Sequence, residues 1–359
     1  FGKSPLTNPH YSYTSRCAKL KRTEIYRMKI YIDSGCDIHY SSFYIKGLEQ
    51  IFGSRNLYFK NKPFSDFKFN NHFFAFIIKD NLINRRIIID YADSSLIDSK
   101  ALTWSDFYCK INIDKNIQYN TTKLVSIGPS FGIKIYSPSK TLFLAILNFI
   151  KSRKRIDNIK RFFSNYKAQL YRPKINDYYP NYEQDNYIFF AGSLWKKEIK
   201  TNTYRANFIK ACLTKRINFE GGFAPRTKND IKGFEDLTMK SRETMESYMR
   251  KTKKSIIAFN TPAVLDCHGW KLAEFLCFGK AIISTDLSRQ LPSELVDKKH
   301  ILITNGTQED IEDKIETLIT DKKLRSILKE NSRKYFEQEL SPDKVIEKIK
   351  TLHNNVYKK

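Results

Sequence analysis

The sequence predicts an α/β chain of two Rossmann-like domains facing a cleft, with a helix at the C-terminus. Three observations predict this. At 359 residues the chain is long for a single core, so two domains are the better expectation. The second half alternates short apolar strands with helical segments, the order that right-handed βαβ crossovers and a parallel sheet require. In the first half the apolar runs are continuous rather than alternating, as in strands covered on both faces.

Residues 1–27 form a polar arm without pattern, and Met28 is the expected start of the domain and of the natural protein. A strand over 29–33 leads into the turn Asp33-Ser-Gly-Cys-Asp37, where Gly35 either admits a ligand close to the backbone or only turns the chain. A helix over 42–52 and strands over 57–60, 73–78, 86–90, 107–113 and 124–127 complete a first domain spanning 28–150. Residues 142–150 are intensely apolar, and 151–174 then carry nine basic residues and one acidic. This pair reads either as a membrane-surface segment or as a core helix followed by a solvated linker over 151–183. Pro173 and Tyr179-Pro180 favour the linker. The second domain, 184–340, has strands over 187–191, 216–220, 255–259, 281–284 and 300–304. Its helices span 203–213, 241–251, 270–278, 308–320 and 321–338. The last segment, 341–359, is a helix and tail, with Ser341 as N-cap and Pro342 in the first turn.

The balance of 63 basic against 38 acidic residues, a net +25, points to anionic partners: nucleic acid, an anionic membrane surface or a phosphorylated substrate. Scarce Gly and Pro with 14% aromatic residues exclude a disordered chain. Six cysteines without a C-x-x-C pair fit buried thiols in a reducing compartment. No apolar run reaches the roughly 18–20 residues that span a bilayer, and the first residues lack the apolar core of a signal peptide. A cytoplasmic protein, soluble or peripheral on the inner face of the cell membrane, is the expectation.

The stretch Phe259 to Ser284 organises the rest. It runs from the end of a strand through a polar loop into a helix, then into another strand, and ligands of open parallel sheets bind at such loops. Asp266 and Glu274 stand eight residues apart across it, with His268 and Gly269 between them. Asp266 serves as a ligand contact or as the N-cap of a turn.

Asp266-x7-Glu274, with Gly269 inside it and Gly279-Lys-Ala-Ile-Ile behind it, resembles the E-x7-E region of the GT-B glycosyltransferases. Asp266 replaces the first Glu of that pattern, and Ala281 replaces a Pro. Tyr187-Ile-Phe-Phe-Ala-Gly192-Ser-Leu-Trp-Lys-Lys197 resembles the family's other donor-side motif, with Ser193 where an Arg usually stands. The resemblance implies a nucleotide-sugar donor as substrate and no bound cofactor. The basic linker and surface suggest an anionic or membrane-bound acceptor, a glycan or lipid-linked glycan in surface polysaccharide or lipopolysaccharide assembly. By the resemblance Glu274 holds the ribose diol and Asp266 touches the donor sugar. The backbone N–H groups at His268 and Gly269 receive the diphosphate, and Lys196, Lys197 or Arg226 neutralises the charge of the leaving group. His268 is also a candidate phosphate or sugar contact, Gly192 and Ser193 line the donor turn, and Glu220 faces the same cleft. A catalytic base is expected from the first domain, where Asp37, His39 and Asp33 follow the first strand.

No Asp-x-Asp, His-Glu-x-x-His, Walker loop or Gly-x-Ser-x-Gly occurs, so the expected transfer is metal-independent, with no metal ligands. The competing readings are a basic nucleic-acid-binding protein, for which no recognised motif is present, and a non-catalytic membrane-associated scaffold using residues 142–174. Glu274→Gln is expected to weaken donor use and leave the fold intact.

Overall fold

The computed structural model describes residues 28–355 apart from 70–71, 81–83, 181, 216 and 227–230. The polar arm 1–27 and the final residues 356–359 therefore lie outside the described residues.

The first domain is built on a six-stranded mixed sheet. Its strands are β1 (Lys29–Asp33), β2 (Leu57–Lys60), β3 (Phe73–Lys79), β4 (Asn84–Asp90), β5 (Phe107–Lys110) and β7 (Leu124–Ser126), in the order β2-β1-β3-β4-β5-β7. β3 runs antiparallel to both β1 and β4, while the other pairs are parallel. A physical reason is at hand. The few residues between β3 and β4 can close a hairpin but cannot carry the crossover of a dozen residues that a parallel pair needs.

Helix α1 (Ile38–Phe52) begins four residues before the predicted start because Asp37 caps it, accepting from the backbone N–H groups of His39 and Tyr40. The run predicted as one strand over 107–113 breaks after β5. Ile113–Asp114, a short strand β6, leaves the sheet and pairs antiparallel with β12 (Arg289–Gln290) of the second domain. A short helix α2 (Ser99–Trp104) precedes β5.

The basic stretch read as a linker is largely folded. Helix α3 (Pro138–Ser152) is followed by α4 (Ile159–Leu170), which buries Phe162 and Tyr166 in the first domain's core. Arg155 returns to the end of β1, where its guanidinium holds Asp33 at 2.5 Å. Sixteen residues, Tyr171 to Asn186, then carry the chain across to the second domain.

In the second domain β8 (Tyr187–Gly192) pairs parallel with β9 (Asn218–Phe223), and β10 (Ile257–Asn260), β11 (Ala281–Ser284) and β13 (Leu302–Ile303) form a parallel trio. The two ladders lie edge to edge. Ile256 N–H donates to the Tyr187 carbonyl at 3.0 Å, and Phe189 N–H donates to Ser255 Oγ at 3.0 Å. The spatial order is thus β9-β8-β10-β11-β13, a doubly wound arrangement that reverses direction between β8 and β10. Helices α5 (Ile199–Thr214), α6 (Met245–Lys254), α7 (Trp270–Phe278), α8 (Gln308–Thr320) and α9 (Lys322–Tyr335) cover it. Phe208 and Phe259 stack at its centre, with the Phe190 ring inclined to both. The final helix α10 (Pro342–Asn355) recrosses to the first domain and packs along α1.

Candidate functional site

The two domains meet amino end to amino end. Trp270, at the start of α7, lies 5.3 Å from the His39 ring and 5.0 Å from the Tyr40 ring at the start of α1. Beside this contact is a cavity of about 310 Å³. It sits at the carboxyl end of β8, where the strand order reverses, the position at which doubly wound sheets bind ligands. Its lining includes Gly192 and Ser193 at the end of β8, Trp270, Lys271 and Glu274 from α7, Tyr248 from α6, and Arg172 and Arg242. No side chain caps the amino end of α7, so the positive end of that helix stays open toward an anion.

Glu274 is 4% exposed and already engaged. Oε1 accepts from Arg172 Nη2 at 2.7 Å, and Oε2 accepts from the Tyr248 hydroxyl at 3.0 Å. Arg172 also donates to the Gly132 carbonyl at 2.8 Å and to the Tyr178 hydroxyl at 2.9 Å. It therefore bolts the crossing segment to both domains at once. A carboxylate offers about four acceptor positions, and Oε2 keeps one open.

The sequence singles out Glu274 but misses Arg172, Tyr248 and Lys271. Lys271 is half-buried, and its ammonium lies 5.4 Å from the Phe190 ring and 5.5 Å from the Tyr248 ring. Among the described residues it has no hydrogen-bond acceptor or ion-pair partner. Burial first, and then the nearby Arg205, push it down to about 7, with Glu274 opposing. Arg205 is itself buried, donating to Thr261 Oγ1 at 2.9 Å and to the Ser193 carbonyl at 2.7 Å, behind the same turn. A half-buried lysine in the first turn of a helix, three residues before Glu274, carries a weak signal in sequence. It becomes visible only when the rings around it are known.

The other predicted residues are placed as follows. Gly192, Ser193 and Glu274 line the cavity, and Gly269 opens α7 at its edge. Asp266 is exposed and does not line it; with Leu265 it adopts a positive φ, +57° and +55°, a conformation that costs a non-glycine residue strain. Asp266 is not an N-cap: it closes the short turn Val264–Asp266, and Gly269 is the residue that precedes α7. His268 is buried away from the cavity. Its backbone N–H is taken by Asn112 Oδ1 at 2.8 Å, so it is not free for a diphosphate, and its Nε2–H donates to the Arg289 carbonyl at 3.2 Å. Lys196 and Lys197 are exposed and outside the lining, and Arg226 donates to the Leu194 carbonyl at 2.7 Å. Glu220 lies off the cavity, paired with Lys251 at 2.8 Å. The glycine after it, Gly221, has φ +121°, and a Cβ there would sit 1.8 Å from the Phe190 carbonyl oxygen. That glycine is required by the strand pairing itself.

In the first domain Asp33 is locked by Arg155 and the Gly35 N–H; burial raises its carboxyl despite that arginine. Asp37 caps α1 and accepts from Asn165 Nδ2 at 2.7 Å. His39 faces Trp270, and its Nδ1 is buried without a partner among the described residues. Burial, then Arg172, lowers it to about 4. Burial also takes His268 down to about 4.

These histidines set a pH dependence. A base whose folded pKa lies below its unfolded value near 6.5 stabilises fully above that value, and this is lost as pH falls from about 6.5 to 4. For buried His268 the loss is roughly 3 kcal/mol at most. The melting temperature is expected to fall between pH 7 and pH 5, and to fall less in His268→Gln. An equal fall in both proteins would remove His268 as its source.

Several further contacts close the domains on each other. Arg289 pairs with Asp114 across the domains, and the Leu265 carbonyl of its own domain holds the guanidinium at 2.6 Å. Cys267 Sγ donates to Asp93 Oδ1 at 3.4 Å.

Residues 238–335 match the family model described as glycosyl transferases group 1. That span contains α6, β10, α7, β11 and the following helices to α9. No curated protein matches the chain. Among solved structures, the C-terminal domain of a group 1 family glycosyl transferase, LpcC from Francisella tularensis, is 16% identical with a TM-score of 0.34, over 46% of this chain and 96% of that one. A glycosyltransferase from Rickettsia africae is 11% identical with a TM-score of 0.40, over 73% and 68%. HepE from Anabaena, solved in complex with UDP-glucose, is 11% identical with a TM-score of 0.38, over 71% and 80%.

Proposed function

We propose that this chain, a group 1 glycosyltransferase by its residues 238–335, moves a sugar from a nucleotide-sugar donor to a glycan acceptor. One observation carries the reading. At the reversal of strand order, a single cavity gathers the Gly192-Ser193 turn, the uncapped amino end of α7, the ammonium of Lys271 and the carboxylate of Glu274. The ribose diol takes the acceptor position left open on Glu274 Oε2. The diphosphate lies against the α7 amino end and Lys271, with Arg242 at the rim. As the bond from sugar to phosphate breaks, negative charge grows on the leaving diphosphate, and those fixed cations stabilise it. They replace the arginine missing at Ser193, and the exposed Lys196 and Lys197 join only if the loop folds inward. Transfer without a metal is the form this cation set supports. His39, neutral at pH 7 and packed on Trp270 beside the cavity, is the first-domain group put forward to accept a proton, and Asp37 positions it as the cap of α1.

The acceptor is a free or lipid-linked glycan in surface polysaccharide or lipopolysaccharide assembly, and the net +25 supports an anionic one. A cytoplasmic enzyme at the inner face of the cell membrane fits this reading; among the described residues no helix is long and apolar enough to cross a membrane.

Thermal shift against a panel of nucleoside diphosphates and nucleotide sugars tests the proposal. Saturation at about a hundredfold over Kd adds roughly 2.7 kcal/mol. No shift with any nucleotide, combined with tight, salt-sensitive binding of DNA or RNA, would replace it with the nucleic-acid reading. Lys271→Met is expected to weaken nucleoside diphosphate binding at pH 6.5, measured by calorimetry. In the unsubstituted protein binding should also weaken as pH rises through about 7, because the amine loses its proton. A pH-independent Kd would remove Lys271 from the site.

A further inference from the structure

We propose that the outward face of α3 docks the enzyme on the surface of an anionic lipid bilayer. The helix buries Thr141, Leu144, Ala145, Asn148 and Ser152 against the first domain. On its other side Leu142 is 62% exposed, Phe143 64%, Ile146 48% and Ile150 63%. Leu142, Ile146 and Ile150 recur every four residues with Phe143 beside them, so they form one continuous stripe along the helix. A stripe of large apolar side chains facing water marks an interaction surface.

Charge identifies the occupant. Lys140, Phe143, Leu147 and Lys151 fall at i, i+3, i+7 and i+11, placing an ammonium at each end of the stripe. Lys140 also lies 3.8 Å from Glu49, and Lys151 donates to the Phe59 carbonyl at 3.0 Å. Beyond them Arg153, Lys154, Lys160, Arg161 and Lys167 are exposed, and Asp157 is the one acidic residue between Pro138 and Lys174. A second copy of this chain would bring the same cations against these, which disfavours self-association through this face. An apolar stripe rimmed by lysine and arginine matches acyl chains beneath anionic headgroups.

The position suits an acceptor carried on a lipid. α3 packs on α4, and α4 reaches the cleft through Asn165, which donates to Asp37. The docking face stands apart from the donor reading, since vesicle binding is measured without donor or acceptor.

The test is flotation of the full chain with vesicles of phosphatidylcholine alone and of equal parts phosphatidylcholine and phosphatidylglycerol. Binding is expected to the anionic vesicles and to weaken as salt is raised. The variant Leu142→Ser/Phe143→Ser/Ile146→Ser/Ile150→Ser should lose it by about tenfold or more. These positions are exposed, so its melting temperature should hold, and circular dichroism confirms the fold. Lys151→Glu/Lys154→Glu should weaken binding to anionic vesicles. Equal flotation of the serine variant, or equal binding to both vesicle types, would overturn the proposal. So would a concentration-dependent dimer that the serine variant abolishes, since a second copy would then be the occupant.

Discussion

Glu274→Gln should lose nucleotide binding and also melt lower, by roughly 5–10 °C. The sequence-based expectation of an intact fold treats Glu274 as a ligand contact alone. The structure adds a buried ion pair: the Arg172 and Glu274 side chains are 11% and 6% exposed, with nitrogen and oxygen 2.7 Å apart. Removing one partner of such a pair leaves the other charge buried and uncompensated, at a cost of about 3–5 kcal/mol. Gln keeps one acceptor oxygen for Arg172, so the lower end, about 3 kcal/mol, is the expected loss. Arg172→Met/Glu274→Gln removes both charges and should recover much of the stability, because replacing a whole buried pair by apolar atoms is often nearly neutral. It should not recover nucleotide binding, since the carboxylate is still missing. Melting curves and calorimetry on the single and double variants separate the two roles. A Glu274→Gln protein with unchanged melting and unchanged nucleotide affinity would remove both.

How far the chain was legible follows from the range over which each signal acts. The second domain's alternation of strand and helix is local, so its elements appear in sequence nearly where the structure has them. Glu274 is legible for the same reason, since its flanking glycine and strand lie within a dozen residues. Arg172, its buried partner, is 102 residues away in sequence and sits in a stretch whose charge looks like a solvated linker. Asp37 and Asp33 look like catalytic bases by position, but one caps a helix and the other holds an arginine. The cap is local, made with the backbone of His39 and Tyr40, whereas the arginine arrives from 122 residues away. Helix α3 misleads differently. Residues 142–150 are so apolar that no polar face shows, and burial on all sides is the natural expectation; the domain covers only one side.

Gly47→Leu is expected to undock the C-terminal helix and cost about 3–6 kcal/mol. Gly47 lies inside α1, where glycine alone is about 1 kcal/mol worse than alanine. Considered as an isolated helix, α1 would gain from any side chain there. The packing reverses the sign. A Cβ at position 47 would lie 2.0 Å from the Pro342 carbonyl oxygen and 2.7 Å from Ile346 Cγ1. The backbone of α10 cannot retreat without uncovering Val345, Ile346 and Ile349, all buried in the core beneath it. Each such side chain contributes about 1.5–3 kcal/mol when fully buried, which sets the scale of the loss. The chain passes between its domains at Tyr171 and after α9, and the docking of α10 on α1 secures the second passage. Loosening it should also relax the first, where Arg172 holds Glu274, so nucleotide affinity should fall although Gly47 lies outside the cavity lining. Limited proteolysis should cut Gly47→Leu within α10 before anywhere else in either domain. Gly47→Ala is the sharper test: a higher melting temperature for it would mean that helix propensity, and not the close contact with Pro342, governs this position.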